Sequence, residues 1–272
     1  MPGATGRLGG ILLRHWRDAP PAGLEIVPVA RRAMPGAVVW TPGTDPAPLG
    51  RADAVLALWG VTAGNDAALG ANRDLALAAM ELARATGADR VLHCSSAAVY
   101  PPGPGPLDEE VPPAPARPYG AAKLAMERAV ADWAAANPGG PRACCLRIAN
   151  VAGADSLFTS LEGEGPVTLD RFADGRGPRR SYVAGADLAR ACAALLTLPP
   201  EELPEVVNVC GPRPVGMDAL VRAAGRDLRW RDAPEGAIPE VALSDARLAA
   251  LGAAARESDR AEALVADWRR LR

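Results

Sequence analysis

The chain has 272 residues, of which 49% are hydrophobic and 23% charged, with a formal net charge of −2. That suits one large α/β domain or two lobes sharing a core, and the near-balanced charge argues against an electrostatic grip on nucleic acid or a membrane. The longest apolar runs are far too short to cross a bilayer, no secretory apolar stretch opens the chain, and five irregularly spaced cysteines give neither a disulfide framework nor a zinc site, so a soluble, cytoplasmic protein is expected.

In chain order, Gly3, Gly6 and Gly9 come first, in the run GATGRLGG at the start of a helix predicted over residues 7–17. Glycines at this spacing allow a tight turn and let backbone N–H groups approach a pyrophosphate at the helix N-terminus. Such a loop should follow a buried strand of about five residues. Only Met1 and Pro2 precede it, so the expectation is that the chain is truncated and its natural start lies upstream. Short buried strands are predicted at 24–29 and 37–40. The first ends Val29-Ala30-Arg31-Arg32, where dinucleotide folds place the group that reads the adenosine ribose. No acid stands there. Arg31 and Arg32 favour the 2′-phosphate of NADP over NAD.

Further strands are predicted at 54–59, 90–94, 143–148 and 206–209, alternating with helices at about 66–86, 119–136 and 187–196. This alternation predicts a parallel sheet covered on both faces. Eight prolines crowd residues 101–118, read as a semi-rigid active-site loop. Residues 156–180 read as loop or substrate lobe. Two short helices, near 217–224 and 244–251, precede a last helix with Ser258 as its N-cap. His15 and His93 are the only histidines and lie on different elements, so no metal site is expected. Cys144 and Cys145 read as buried structural thiols.

The helix after the prolines opens Pro118-Tyr119-Gly120-Ala121-Ala122-Lys123. Lys123 is the sole lysine among 30 basic residues, in a chain otherwise reliant on arginine. With three tyrosines present, chance would place it four after one of them only about once in ninety such sequences. Residues four apart share a helical face, so the ammonium is expected to lower the Tyr119 pKa towards working pH and suit it to proton exchange with an alcohol or carbonyl. Upstream, Ser95 or Ser96 stands just past a strand, where a hydroxyl can hold the same substrate oxygen.

With these pieces together, the chain resembles an extended short-chain dehydrogenase/reductase of the NAD(P)-dependent epimerase/dehydratase family. The runs that carry the likeness are GATGRLGG, DAVLALWG, HCSSAAVY, RPYGAAKLAMERAV, LRIANVAG, RRSYVAGADLA and VNVCG, from Gly3 to about Gly211. The resemblance selects Ser96 over Ser95 and implies Ser96, Tyr119 and Lys123 as catalytic. It implies cofactor contacts from Gly3, Gly6, Arg7, Gly9, Arg31, Arg32, Trp59, Gly60, Asn72, Tyr119 and Lys123, and substrate contacts from Ser96, Asn150 and Arg180. Glu127 matches the family's acid eight past the tyrosine. A homodimer through the Tyr–Lys helix is also implied. Two departures weigh against a nucleotide-sugar pocket: Ala184 stands where the family has histidine, and the stretch between Asn150 and Arg180 is short.

The expected fold is therefore α/β, a Rossmann-like doubly wound parallel sheet with a small C-terminal substrate lobe and its first strand missing. The dinucleotide-binding domain is expected over 1–150 with 183–210 returning to it, and the substrate lobe over 151–182 and 211–272. The expected function is an NAD(P)-dependent oxidoreductase or epimerase at a carbonyl/hydroxyl carbon of a small molecule, a sugar or sugar nucleotide first. An NADPH-dependent carbonyl reductase of a non-sugar substrate and a non-catalytic NADP-sensing protein are the alternatives.

Overall fold

The computed structural model describes residues 1–103 and 105–272, so Pro104 of the proline-rich tract lies outside the described residues. The chain divides into two compact units. The first comprises Met1–Pro101, Pro112–Arg147 and Cys192–Val207; the second comprises Pro102–Val111, Ile148–Ala191 and Asn208–Arg272.

In the first unit, α1 (Arg7–Asp18) leads to β1 (Val29–Ala30) and β2 (Val38–Val39), a parallel pair. Then come β3 (Ala54–Ala57), α2 (Asp66–Thr86), β4 (Arg90–Ser96), α3 (Pro118–Ala136) and β5 (Arg142–Ile148). With β6 (Val206–Val209) these form a four-stranded sheet in the order β6-β5-β4-β3. β3 and β4 run parallel, with Val55 opposite Val91 and Ala57 opposite His93. Met1 and Pro2 bridge the two sheets: Val29 N–H donates to the Met1 carbonyl at 3.0 Å, and Leu58 N–H to the Pro2 carbonyl at 3.0 Å. Only Val29–Ala30 of the predicted strand at 24–29 is in a ladder. Residues 24–27 alternate half-buried and exposed without a partner strand among the described residues.

The helices follow from local chemistry. The Asn65 side chain accepts from Ala68 N–H at 2.9 Å and starts α2, and Gly87 ends it in the left-handed region at φ 77°. Ala76, Ala79 and Ala83 are buried along α2. These small residues let it pack closely on its neighbours, where Met80, Val91, Met126 and Val130 share one core with Trp40 and Val55. Cys144 and Cys145 are buried free thiols, as expected.

The second unit is richer in structure than its glycine and charge suggest. Residues 156–180 hold a helix at Ser156–Glu162, started by the Asp155 carboxylate on Phe158 N–H at 2.9 Å, and strands at Val167–Arg171 and Arg179–Arg180. Leu228–Asp232 pairs parallel with Val167–Arg171, a strand hidden from sequence by its charged residues. The core packs Phe158 edge-on to Tyr182 and Trp268, with ring centroids 6.1 and 5.2 Å apart. The last helix, Ala261–Arg270, buries Leu264, Val265 and Trp268, and its N-cap is Arg260 rather than the expected Ser258. Ser258 is instead fully buried, donating to Asp187 at 2.5 Å and accepting from Ala184 N–H at 2.8 Å. A buried carboxylate that also takes Arg256 and Glu257 N–H, both at 2.8 Å, outcompetes the helix end for that hydroxyl.

Among the described residues no helix is long and apolar enough to cross a membrane, and no cluster of His, Cys, Asp and Glu could hold a metal ion.

Candidate active site

A groove of about 190 Å³ opens in the first unit at the carboxyl ends of β1, β2 and β3. Gly3, Gly6, Arg31, Trp40, Trp59 and Gly60 are among its lining residues. Gly3 has φ 90°, and a methyl group there would stand 2.5 Å from Trp59 N, so the turn into α1 admits only glycine. α1 starts at Gly6 with no side-chain cap and no acid in its first turn. Its N-terminal N–H groups and positive dipole end therefore suit an anion. Gly9 is buried in α1 and Arg7 is its exposed first residue. Arg31 lines the groove; Arg32, exposed, is the next residue along.

Trp40 and Trp59 stack with centroids 6.0 Å apart in the groove wall. The Trp59 indole N–H is buried without a partner among the described residues. A buried donor left open on a groove is what a ligand acceptor would satisfy. With the glycine turn, it makes this groove fit a dinucleotide cofactor. The sequence reading missed Trp40. The available signal was its position: a large aromatic as the last residue of a predicted strand, where α/β folds bind ligands.

Asn72, 2% exposed, is tied to backbone. Its Oδ1 accepts from Val61 N–H at 3.1 Å, and its Nδ2 donates to the Val61 and Leu69 carbonyls, both at 2.9 Å. It pins the loop that carries Trp59 and Gly60.

Ser96 ends β4 and Tyr119 begins α3, where Pro118 in the first turn fixes the helix start. The Ser96 hydroxyl hydrogen-bonds the Tyr119 phenol and accepts from Ala98 N–H at 3.2 Å. The two segments touch backbone to backbone: a methyl on Gly120 would overlap the Ala98 carbonyl oxygen. One turn along α3, Lys123 is 2% exposed. Its ammonium donates to the Cys94 carbonyl at 2.8 Å and stands 5.9 Å from the Tyr119 ring centroid. It also lies within 3.2 Å of where a Gly60 methyl would be, so the lysine head abuts the groove wall. Structure and sequence thus agree on bringing Ser96, Tyr119, Lys123, Trp59 and Gly60 together in one unit.

The expected drop in the Tyr119 pKa is absent. Burial of the phenol pushes it up to about 12, and the nearby Cys94 thiol adds to the rise, while the Ser96 hydrogen bond only partly opposes it. The phenol is neutral at working pH and holds a proton it can give. Behind it, burial and then the Lys123 charge depress His93 to about 3, and its Nε2 lies 3.2 Å from the Met80 sulfur. A base whose folded pKa lies below its unfolded value of about 6.5 stabilises the fold above that value and loses the contribution as pH falls towards 3. Between pH 7 and 5 the loss from this one residue is about 2 kcal/mol. Urea unfolding at both pH values should show that much extra acid sensitivity in the natural chain over His93→Gln; equal sensitivity would contradict a neutral buried imidazole.

Asn150 and Arg180 belong to the second unit. The Asn150 amide donates to Asp155 at 3.0 Å. The Arg180 guanidinium holds the backbone carbonyls of Arg179 at 2.7 Å, Ile238 at 2.8 Å and Pro239 at 3.2 Å.

A dinucleotide-type groove, a strand-end serine and a Tyr–Lys pair on the following helix define a short-chain dehydrogenase/reductase. More narrowly, the NAD dependent epimerase/dehydratase family model matches residues 2–210, and the chain belongs to that family. A stretch of 70 residues is 47% identical to the UDP-glucose 4-epimerase of Azospirillum brasilense, which is 25% of this chain and 20% of that protein's length. MoeE5, solved with UDP-glucose and NAD, superposes with a TM-score of 0.79 at 22% identity, over 99% of this chain and 97% of its own. The Thermus thermophilus UDP-glucose 4-epimerase, solved with NAD, gives 0.75 at 21%, over 98% of this chain and 97% of its own. These structural likenesses establish the fold.

Proposed function

We propose that this chain is a nicotinamide-dependent epimerase that inverts a hydroxyl-bearing carbon of a nucleotide sugar. The observation that carries the reading is the Ser96–Tyr119 hydroxyl pair beside a buried Lys123 ammonium at the wall of the dinucleotide groove. MoeE5, solved with UDP-glucose and NAD, supports the substrate class.

The cofactor supplies the hydride chemistry when bound. As the phenolate, Tyr119 takes the proton of the reacting hydroxyl when that carbon is oxidised and returns it when the carbon is reduced, while Ser96 donates a hydrogen bond to the same oxygen, holding it in line with the phenol. Lys123 favours that phenolate. The Gly3 turn and the α1 N-terminus hold the pyrophosphate, and the open Trp59 N–H takes an acceptor on the cofactor. An epimerase returns the hydride, so incubation with UDP-glucose should give the C4 epimer without net change in reduced cofactor. Steady NADPH consumption against a carbonyl panel would instead mark a reductase of a non-sugar substrate.

NADP is preferred in this reading, because Arg31 lines the groove at the end of β1 and no acid stands beside it. Removing a charge-assisted bond to phosphate costs roughly 10- to 100-fold in affinity. Arg31→Ala should therefore weaken NADPH binding by that factor and leave NADH within about twofold, as read by quenching of tryptophan fluorescence. Equal loss for both would remove the preference.

A further inference from the structure

Four buried polar side chains behind the Ser96–Tyr119 pair take no part in the proton transfer. Ser95 is 2% exposed, Glu127 7%, Arg147 4% and Tyr100 4%. They form one chain of hydrogen bonds. The Ser95 hydroxyl donates to Glu127 Oε1 at 2.5 Å. Arg147 grips the same carboxylate with two nitrogens, Nη2 to Oε2 at 2.8 Å and Nε to Oε1 at 3.2 Å. Its remaining arm, Nη1, donates to the Tyr100 hydroxyl at 3.0 Å, and the guanidinium lies 4.8 Å over the Tyr100 ring.

Resting on the proton-transfer reading above, we infer that Glu127 and Arg147 are positioning residues, a clamp that acts through Ser95 and Tyr100 to hold Ser96 against Tyr119. Placement carries the argument. Ser95 and Tyr100 flank the turn of residues 96–99 on either side, so the clamp grips both ends of the segment that bears the Ser96 hydroxyl. The same turn is pressed from its other side by the first turn of α3, where Gly120 meets the Ala98 carbonyl. Glu127 is one helical turn beyond Lys123, which is one turn beyond Tyr119, so a single helix carries phenol, ammonium and clamp in fixed register. A buried ion pair is a poor way to stabilise a core, since apolar residues of the same volume often do as well or better. Its virtue is geometric, because a forked carboxylate–guanidinium contact with every arm used admits one arrangement.

Glu127→Gln would strand a buried guanidinium and risks misfolding. Ser95→Ala and Tyr100→Phe each remove one arm and keep the ion pair. In the full chain, amide hydrogen exchange of residues 96–100 should rise at least about tenfold in both variants, with α2 and β3 unchanged. With UDP-glucose and saturating cofactor, kcat should fall about tenfold while KM and the NADPH Kd stay within about twofold, because no clamp residue lines the dinucleotide groove and each acts only through the turn that bears Ser96. Unchanged exchange at 96–100, a uniform rise across the unit, or locally faster exchange with unchanged kcat would each overturn the clamp. Tyr119→Phe in the same assays separates the two ideas. Undiminished turnover there removes the proton-transfer reading, and a natural chain inactive on UDP-glucose removes its substrate class; the exchange data still decide whether the clamp holds the turn.

Discussion

Tyr119→Phe is expected to lower turnover about a thousandfold, in the middle of the range for losing a positioned general acid or base. The ring stays, so packing at the head of α3 is kept and only the hydroxyl leaves. The loss should fall on kcat, with cofactor affinity within about twofold, because the phenol hydroxyl reaches Ser96 and the Gly3 turn of the groove lies elsewhere in the unit. Stopped-flow measurement of cofactor reduction by UDP-sugar, beside steady-state epimerisation, reads both quantities. A variant that binds cofactor as the natural chain does and turns over at its rate would take the proton from Tyr119 and give it to another group.

Lys123→Arg should be nearly as damaging, although it keeps the charge. The ammonium is 2% exposed, bonded to the Cys94 carbonyl and pressed against Gly60 at the groove wall. A planar guanidinium is larger and cannot take that point contact. Overpacking of this kind costs about 1–3 kcal/mol in stability. Displacing a charge beside the reacting group should cost turnover at least about 100-fold. Thermal unfolding and kcat measured together check it: a fully active, equally stable arginine variant would show that only charge matters there. The prediction also explains why one lysine stands in a chain with 29 arginines. Elsewhere a surface cation can be either residue; at this position the space admits only the thinner one.

Much of this was legible in the sequence because it rests on periodicities that tertiary packing reinforces. Tyr119 and Lys123 are four apart on a helix started by Pro118, and the glycine turn precedes an amphipathic helix. The strand at 24–29 was legible only in part. Its apolar alternation is real, yet only Val29–Ala30 is in a ladder, because sheet pairing needs a neighbour that residue pattern cannot supply. Charge hid Leu228–Asp232, a strand with two arginines and an aspartate. Ser258 had the right residue type for an N-cap, but a buried carboxylate distant in sequence took its hydroxyl. The Tyr119 pKa shows the same limit most plainly. Spacing placed the ammonium on the phenol's helical face, but how much water the phenol loses depends on segments far along the chain, and burial, with the Cys94 thiol, raises its pKa against the Ser96 hydrogen bond.

In the proposed chemistry, Tyr119, Lys123 and the dinucleotide groove act as one site. Ultraviolet difference titration of the phenolate, natural chain minus Tyr119→Phe, run with and without saturating NADP⁺, puts this to the test. In the free protein no Tyr119 phenolate should appear below about pH 10, in keeping with burial. An oxidised nicotinamide carries positive charge, and a cation close to a phenol lowers its pKa by about 1–3 units. The titration should therefore be displaced downward by at least about one unit when cofactor is bound. Identical curves with and without cofactor would mean that the phenol does not face the dinucleotide, and the proposed chemistry would have no place in this protein.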